Sequence, residues 1–220
     1  MNQLIFKFPF KIRYYEQDFY VSSNNFSAYK LIESWPNWPG KWLNIFGDPG
    51  CGKTHLSKIL EKKIKKIKIL DAENISNDIV PILNQLECLI IDNYKNNIKE
   101  ELLYSILNQS KQLEKYILIN SNTPIKNYTF DSEDLKSRID SFLYIGIDLP
   151  TDDLLQVIIA KSFSDKQVYL DKKISQYIIK NVDRSYDKMF KFLKDVDELS
   201  LSSGKSININ LIKKVLKNEK

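Results

Sequence analysis

Gly47, Asp48, Pro49, Gly50, Cys51, Gly52, Lys53 and Thr54 are the residues of this chain best placed to do chemistry. They fit the spacing G-x-x-x-x-G-K-[ST] at every fixed position. Such a loop binds the phosphates of a nucleotide. Its glycines let backbone N–H groups close around the oxygens, and a helix N-terminus behind it adds partial positive charge. Lys53 can reach the β- and γ-phosphates, and the Thr54 hydroxyl can hold Mg²⁺. A second landmark is Asp92, which closes the apolar run Cys88, Leu89, Ile90, Ile91. In phosphate-loop proteins such an aspartate holds the Mg²⁺ from the strand end beside the loop. It lies about 40 residues beyond the loop, and the pair is far more specific than either motif alone. The next residue is Asn93. In many ATPases of this kind an acid stands there and orients the attacking water. An amide cannot act as a base, so hydrolysis by this chain alone is expected to be slow.

Those groups need a strand before the loop and a helix after it. Residues 42–46 read as a short buried strand, and residues 54–66 as an amphipathic helix with Leu56, Ile59, Leu60 and Ile64 on one face. Residues 68–71, 88–91, 115–120 and 142–147 read as further strands. Asn24 is expected to cap a helix reaching about residue 35. Residues 76–85 read as a helix broken or kinked at Pro81, and residues 98–114 and 132–141 as two more helices. The fourth strand ends in Ser121, Asn122, Thr123, Pro124. If it neighbours the loop strand, Asn122 would lie near the γ-phosphate; otherwise Asn122 only shapes the turn before Pro124. From Pro150 onward the pattern is helical alone, over residues 151–166, 172–181, 185–201 and 209–217. A small helical domain therefore begins near Pro150. At the other end, Leu4, Phe6, Phe8 and Phe10 fall on one side of an extended segment. Such a segment fits an edge of its own sheet, or a partner's groove that takes alternate side chains.

Composition narrows the class. In 220 residues, 43% are hydrophobic and 28% charged, which suits a folded, soluble chain. The 33 basic residues are nearly balanced by 28 acidic ones, and the net charge of +5 is a weak signal. The densest basic run, Lys62, Lys63, Lys65, Lys66 and Lys68, falls at the end of the helix after the loop, where cations complement the helix dipole. A patch for the DNA backbone is the other reading. No apolar run approaches the ~18–20 residues of a membrane span. The first ten residues carry Lys7 inside their apolar stretch and lack a small-residue cleavage site, so no secretory signal is expected. Two cysteines, Cys51 and Cys88, suit a reducing cytoplasm. Cys88 reads as a core residue; Cys51, inside the loop, leaves a redox switch open.

The order of units resembles an AAA+ ATPase: α/β, a phosphate-loop domain with a five-stranded parallel sheet, then a small all-α lid. In finer detail the chain is similar, over nearly its whole length, to the Hda family, the regulatory inactivators of the initiator DnaA. The likeness rests on the loop with His55 and Leu56 after it, on residues 89–93, on residues 119–124 and on residues 134–142. Residues 18–25, with Trp35, Pro36, Asn37, Trp38 and Pro39, resemble the alphaproteobacterial members.

The resemblance implies an extended clamp-binding peptide over residues 1–11, a nucleotide domain over 12–149 and a lid over 150–220. Gln3, Leu4, Phe6 and Phe8 match the peptide by which the family docks on the sliding clamp, the β subunit of DNA polymerase III. Val21, His55 and Arg184 join residues 47–54 as nucleotide contacts, with ADP or ATP bound between the domains. Thr54 and Asp92 hold the Mg²⁺. Asn122 is a catalytic contact, and Arg138 matches the arginine finger that reaches a nucleotide on a neighbouring subunit. The lid arginine of the DnaA branch falls near Asp187, which cannot favour a phosphate; Arg184, three residues earlier, is either its substitute or a solvated side chain. The chain also ends where DnaA begins its helix-turn-helix DNA reader, so DNA is expected to be reached through the clamp. The expected function is negative regulation of replication initiation in the cytoplasm, by stimulating ATP hydrolysis on DnaA. A homo-oligomer stays open. Two rivals remain, an active helicase-loader ATPase and a nucleotide-stabilised clamp adaptor without finger activity.

Overall fold

The computed structural model describes residues 18–165 and 168–218. Gln3, Leu4, Phe6 and Phe8 lie outside the described residues. The chain divides into two compact units, with the division between Asp148 and Leu149.

The first unit is built on a parallel sheet of β1 (Trp42–Gly47), β2 (Ile67–Asp71), β3 (Cys88–Tyr94), β4 (Tyr116–Ser121) and β5 (Leu143–Ile147). Its order is β2-β3-β4-β1-β5. Apolar runs with no polar alternation suit strands covered on both faces, and β1, β3 and β4 are buried almost throughout. Alternate residues sort to the two faces. Trp42, Leu89, Ile91, Ile117 and Ile119 join a core cluster that includes Leu83, Leu103, Ile106, Leu107 and Leu135. Those last residues come from the turn at Leu83–Gln85 and from α4 (Glu100–Gln112) and α5 (Glu133–Ile139). Leu43, Ile45, Ile90 and Leu118, also buried, fall on the other face. There α1 (Phe26–Glu33) packs on α2 (Lys53–Lys63).

Two expectations need correction. Residues 76–85 do not make one helix that Pro81 breaks; a four-residue helix, α3 (Ile79–Ile82), runs into a 3₁₀ turn. Pro81 sits in the first turn, where its missing N–H costs no intrahelical bond. The cap of α1 is Asn25, without a side-chain cap bond, and not Asn24. Both amides do other work. Asn25 accepts the N–H of Ser22 and donates to the carbonyl of Tyr20, closing the preceding turn. Asn24 donates to the Asp148 carbonyl, and the Asp148 N–H returns to the Asn24 carbonyl.

The second unit holds α6 (Asp152–Ser164), α7 (Lys172–Asn181), α8 (Tyr186–Ser203) and α9 (Ile209–Asn218). Thr151, Asp171 and Ser185 cap the first three, each accepting a backbone N–H from the first turn. Their apolar faces meet in a separate core of Leu155, Ile159, Phe163, Ile178, Met189, Phe192, Leu193, Val196 and Ile212. Among the described residues no helix is long and apolar enough to cross a membrane.

Candidate nucleotide site of the first unit

The phosphate loop leaves the C-terminal end of β1 and turns directly into α2. Two glycines are fixed by space. A Cβ on Gly47 would lie 2.6 Å from the carbonyl oxygen of Ile147. A Cβ on Gly52 would lie 2.9 Å from the ring of Phe19, and Gly52 has φ +104°, in the left-handed region. Phe19 also stands edge-on to His55 at 5.3 Å and stacks on Tyr29 at 5.8 Å. One aromatic side chain thus links the segment before α1 to the start of α2. Val21 is half-buried in the same segment.

Lys53 is buried, and its ammonium donates to the carbonyls of Gly47 at 2.6 Å and Asp48 at 3.0 Å. The Cys51 thiol is 3.6 Å from it and is buried too. Burial pushes that thiol up from its ordinary pKa, with the nearby ammonium opposing the rise. A buried neutral thiol is a poor nucleophile, which argues against the redox reading of Cys51. The Cys88 thiol is pushed up more strongly, by burial first and by Glu87 second.

The Thr54 hydroxyl donates to Asp92 Oδ2 at 2.8 Å. Asp92, buried at the end of β3, accepts on Oδ1 from the Asn93 N–H at 3.1 Å and from Asn120 Nδ2 at 2.9 Å. Because β4 lies between β1 and β3, Asn120 sits in the middle of the site, and Nδ2 also reaches Ser57 Oγ of α2 at 2.7 Å. Asn120 is fully buried, and its Oδ1 has no hydrogen-bond partner among the described residues. Behind it, Asn44 of β1 donates to the Ile119 carbonyl and Ser121 Oγ and accepts the Ile125 N–H, pinning the turn after β4. The sequence reading singled out neither amide. The signal is a polar residue inside an apolar strand: Asn120 at the parity of Leu118, which faces α2, and Asn44 at the parity of Trp42, which faces the core on the other side of the sheet.

Asn122 is exposed at the tip of β4, and β4 does neighbour the loop strand. Asn93 is exposed, and its side chain donates to Asp71 on β2 at 2.6 Å. That bond is the main reason the Asp71 carboxyl is held below its ordinary range; the Glu73 N–H and the charge of Lys95 add to it. Arg138, on α5, is half-buried: one terminal nitrogen donates to Asn108 Oδ1 at 3.0 Å, and its buried Nε has no hydrogen-bond partner among the described residues. In the second unit Arg184 pairs with Asp152 at 3.0 Å, both about half exposed. Asp187 is exposed in the first turn of α8, where an acid suits the helix dipole.

The donor set fits a nucleotide with a hard cation. A glycine loop at a helix N-terminus suits phosphate, Lys53 supplies a buried ammonium, and Thr54 with Asp92 supplies hard oxygens. Among the described residues no group of three or more His, Cys, Asp or Glu could hold a metal, so phosphate and water oxygens would complete the shell of a cation here.

Fold and site together define an AAA+ phosphate-loop protein. Residues 152–216 match the family model described as Hda, lid domain, and residues 43–135, the phosphate-loop half, match one described as RNA helicase. The chromosomal replication initiator protein DnaA of Borrelia garinii subsp. bavariensis is 28% identical over 271 residues, covering 97% of this chain and 55% of that protein. DnaA of Buchnera aphidicola subsp. Cinara cedri is 25% identical, over 87% of this chain and 48% of its own. Among solved structures, domain III of Thermotoga maritima DnaA superposes with a TM-score of 0.76 at 19% identity, covering 96% of this chain and 98% of that one. The Thermotoga maritima RuvB Holliday junction branch migration motor superposes with a TM-score of 0.59 at 22% identity, over 81% and 61% of the two chains. The chain thus resembles DnaA over most of its own length, and residues 152–216 resemble the Hda lid domain. It spans about half the length of the curated relatives it matches.

Proposed function

We propose that this chain is a negative regulator of replication initiation in the cytoplasm, and that its nucleotide site holds the fold in working order rather than driving turnover. The observation that carries this is an Hda-type lid joined to a DnaA-like phosphate-loop domain. Residues 47–55 with Val21 would hold an adenine nucleotide, ADP or ATP, and Thr54 and Asp92 its Mg²⁺. A solved DnaA that resembles this fold is bound to AMPPCP, which supports an adenine nucleotide as the ligand. Bound Mg²⁺ would polarise a phosphoryl oxygen. Lys53 would exchange its two carbonyl partners for phosphate oxygens. Arg184 pairs with Asp152 through an exposed contact of the kind worth little, so breaking that pair costs little. Asn93 offers no base, and its side chain is spent on Asp71.

Gln3, Leu4, Phe6 and Phe8 would dock the chain on the DNA-loaded sliding clamp. Arg138 would then act on ATP held by DnaA, where a guanidinium against the γ-phosphate can be worth ~10³–10⁵ in rate. The test is ATP hydrolysis by DnaA, with and without clamp-loaded DNA. Addition of this chain is expected to raise it, and Arg138→Ala to remove the gain; unchanged hydrolysis on addition overturns the proposal. A clamp adaptor without finger activity is favoured by one observation, the Arg138 guanidinium resting half-buried on Asn108. That reading requires Arg138→Ala to keep full function while Gln3→Ala loses it.

A further inference from the structure

Asn93 follows Asp92 directly, yet its side chain leaves the site. The cause is in the backbone. β3 shifts register against β4 between Ile91 and Tyr94, and within that bulge Asn93 has φ +57°. Asparagine is among the few residues that tolerate left-handed backbone, and a bulge re-aims a side chain. Here it turns Asn93 toward β2, where Nδ2 donates to Asp71 Oδ2 at 2.6 Å. Asp71 is itself held, since its other oxygen accepts the Glu73 N–H at 3.0 Å and caps the 3₁₀ turn at Ala72–Asn74. Asp71 and Asp92 stand in register on neighbouring strands. The same turned residue sends its N–H to Asp92 Oδ1 at 3.1 Å, and the other oxygen of Asp92 meets Thr54 at 2.8 Å. An unbroken line of contacts therefore runs from the outer strand to the two groups offered to a cation: Asp71, Asn93, Asp92, Thr54.

We infer that Asp71 is a positioning residue for the cation site: through Asn93 it fixes the β3 bulge, and the bulge sets the angle at which the Asp92 carboxylate faces Thr54. The inference rests on the nucleotide reading of the loop. Asp71 does not touch nucleotide or cation; it holds the residue that orients the carboxylate. Partners of this outer kind typically change metal affinity by ~10-fold or more when removed. Asn120, the second donor to Asp92 Oδ1, limits the loss to a weakening.

The test uses the full chain and a fluorescent ADP analogue, titrated with Mg²⁺ and again in EDTA. Asp71→Ser keeps an acceptor for the Glu73 N–H but is too short for Asn93. Asn93→Gly keeps the left-handed backbone but loses the amide. Both positions lie away from the buried core, so each variant is expected to fold, and melting temperature is followed alongside. The two variants break one bond from opposite ends. Each is expected to need about tenfold more Mg²⁺ for half-maximal binding, with nucleotide affinity in EDTA unchanged. The double variant is expected to be no worse than the weaker single, because only one link is lost. An unchanged Mg²⁺ midpoint in either single variant, losses that multiply in the double, or equal losses in EDTA overturns the inference and leaves the nucleotide site standing. A wild-type chain that binds no analogue at all overturns the nucleotide reading and this inference together.

Discussion

Asn120 is the residue on which the site turns, and its partners explain why it escapes a reading of the sequence. Ser57 lies 63 positions away and Asp92 lies 28 away, and nothing local marks the three as neighbours. Lys53, Thr54 and Asp92 were legible because their spacing repeats a known chemistry; Asn120 and Asn44 work only through tertiary contacts. Replacing Asn120 with leucine, which has the same branching at Cγ but no donor, leaves a buried carboxylate short of a donor. The expected cost is ~1–3 kcal/mol of stability, read from a denaturant melt, with weaker Mg²⁺-dependent nucleotide binding beside it. Asp71 gives a second measurement at this scale, and its sign is fixed. Its carboxyl is held below the ordinary range, chiefly by Asn93. The contribution to folding is then present above the unfolded carboxylate pKa and is lost as pH falls through the folded value. Asn93→Gly removes the main cause, so the Asp71 pKa should rise toward the ordinary ~3.9, followed by NMR titration of its side-chain carbon. No rise would mean that the amide does not hold the carboxylate in solution.

Elements were more legible than residues, and the reason is where their signals lie. The five strands announce themselves as apolar runs closed by polar residues; four have observed bounds within one residue of the sequence reading, and β3 runs three residues further, to Tyr94. Ser132, Thr151 and Ser185 mark helix starts that the structure keeps, because a cap is a local contact between a side chain and its own first turn. Residues 76–85 were misread for the converse reason: Pro81 carries no mark that tells a first turn from an interior. The caps also allow a prediction. Ser185 Oγ accepts the Lys188 N–H at 3.2 Å at the start of α8, whose face supplies Met189, Phe192, Leu193 and Val196 to the second core. Ser185→Ala should cost ~1 kcal/mol in the unfolding of the second unit, with Ser185→Gly costing only a few tenths. Equal losses in both variants would show that the hydroxyl contributes nothing as a cap.

At the scale of the molecule, two units with separate cores ask what each part contributes to one activity. The proposed function gives two parts different kinds of work, and kinetics separates them. Docking through Gln3, Leu4, Phe6 and Phe8 would act by concentration. A tether makes the second encounter intramolecular, at an effective concentration that reaches ~mM for a short link. Its loss can therefore be offset by adding more protein. Arg138 would act on the barrier, and a transition-state contact worth ~10³-fold or more cannot be replaced by mass action. In an assay of DnaA-bound ATP on clamp-loaded DNA, Gln3→Ala should shift the half-maximal concentration of this chain upward by ten- to a hundredfold, and the plateau rate should be preserved. Arg138→Ala should leave the half-maximal concentration near that of the wild type and lower the plateau to the level of DnaA alone. The double variant should show both defects, each of its own size. If excess Arg138→Ala protein restored the full rate, the guanidinium would be a docking contact, and the chain would be an adaptor that brings DnaA to the clamp while DnaA hydrolyses its ATP unaided.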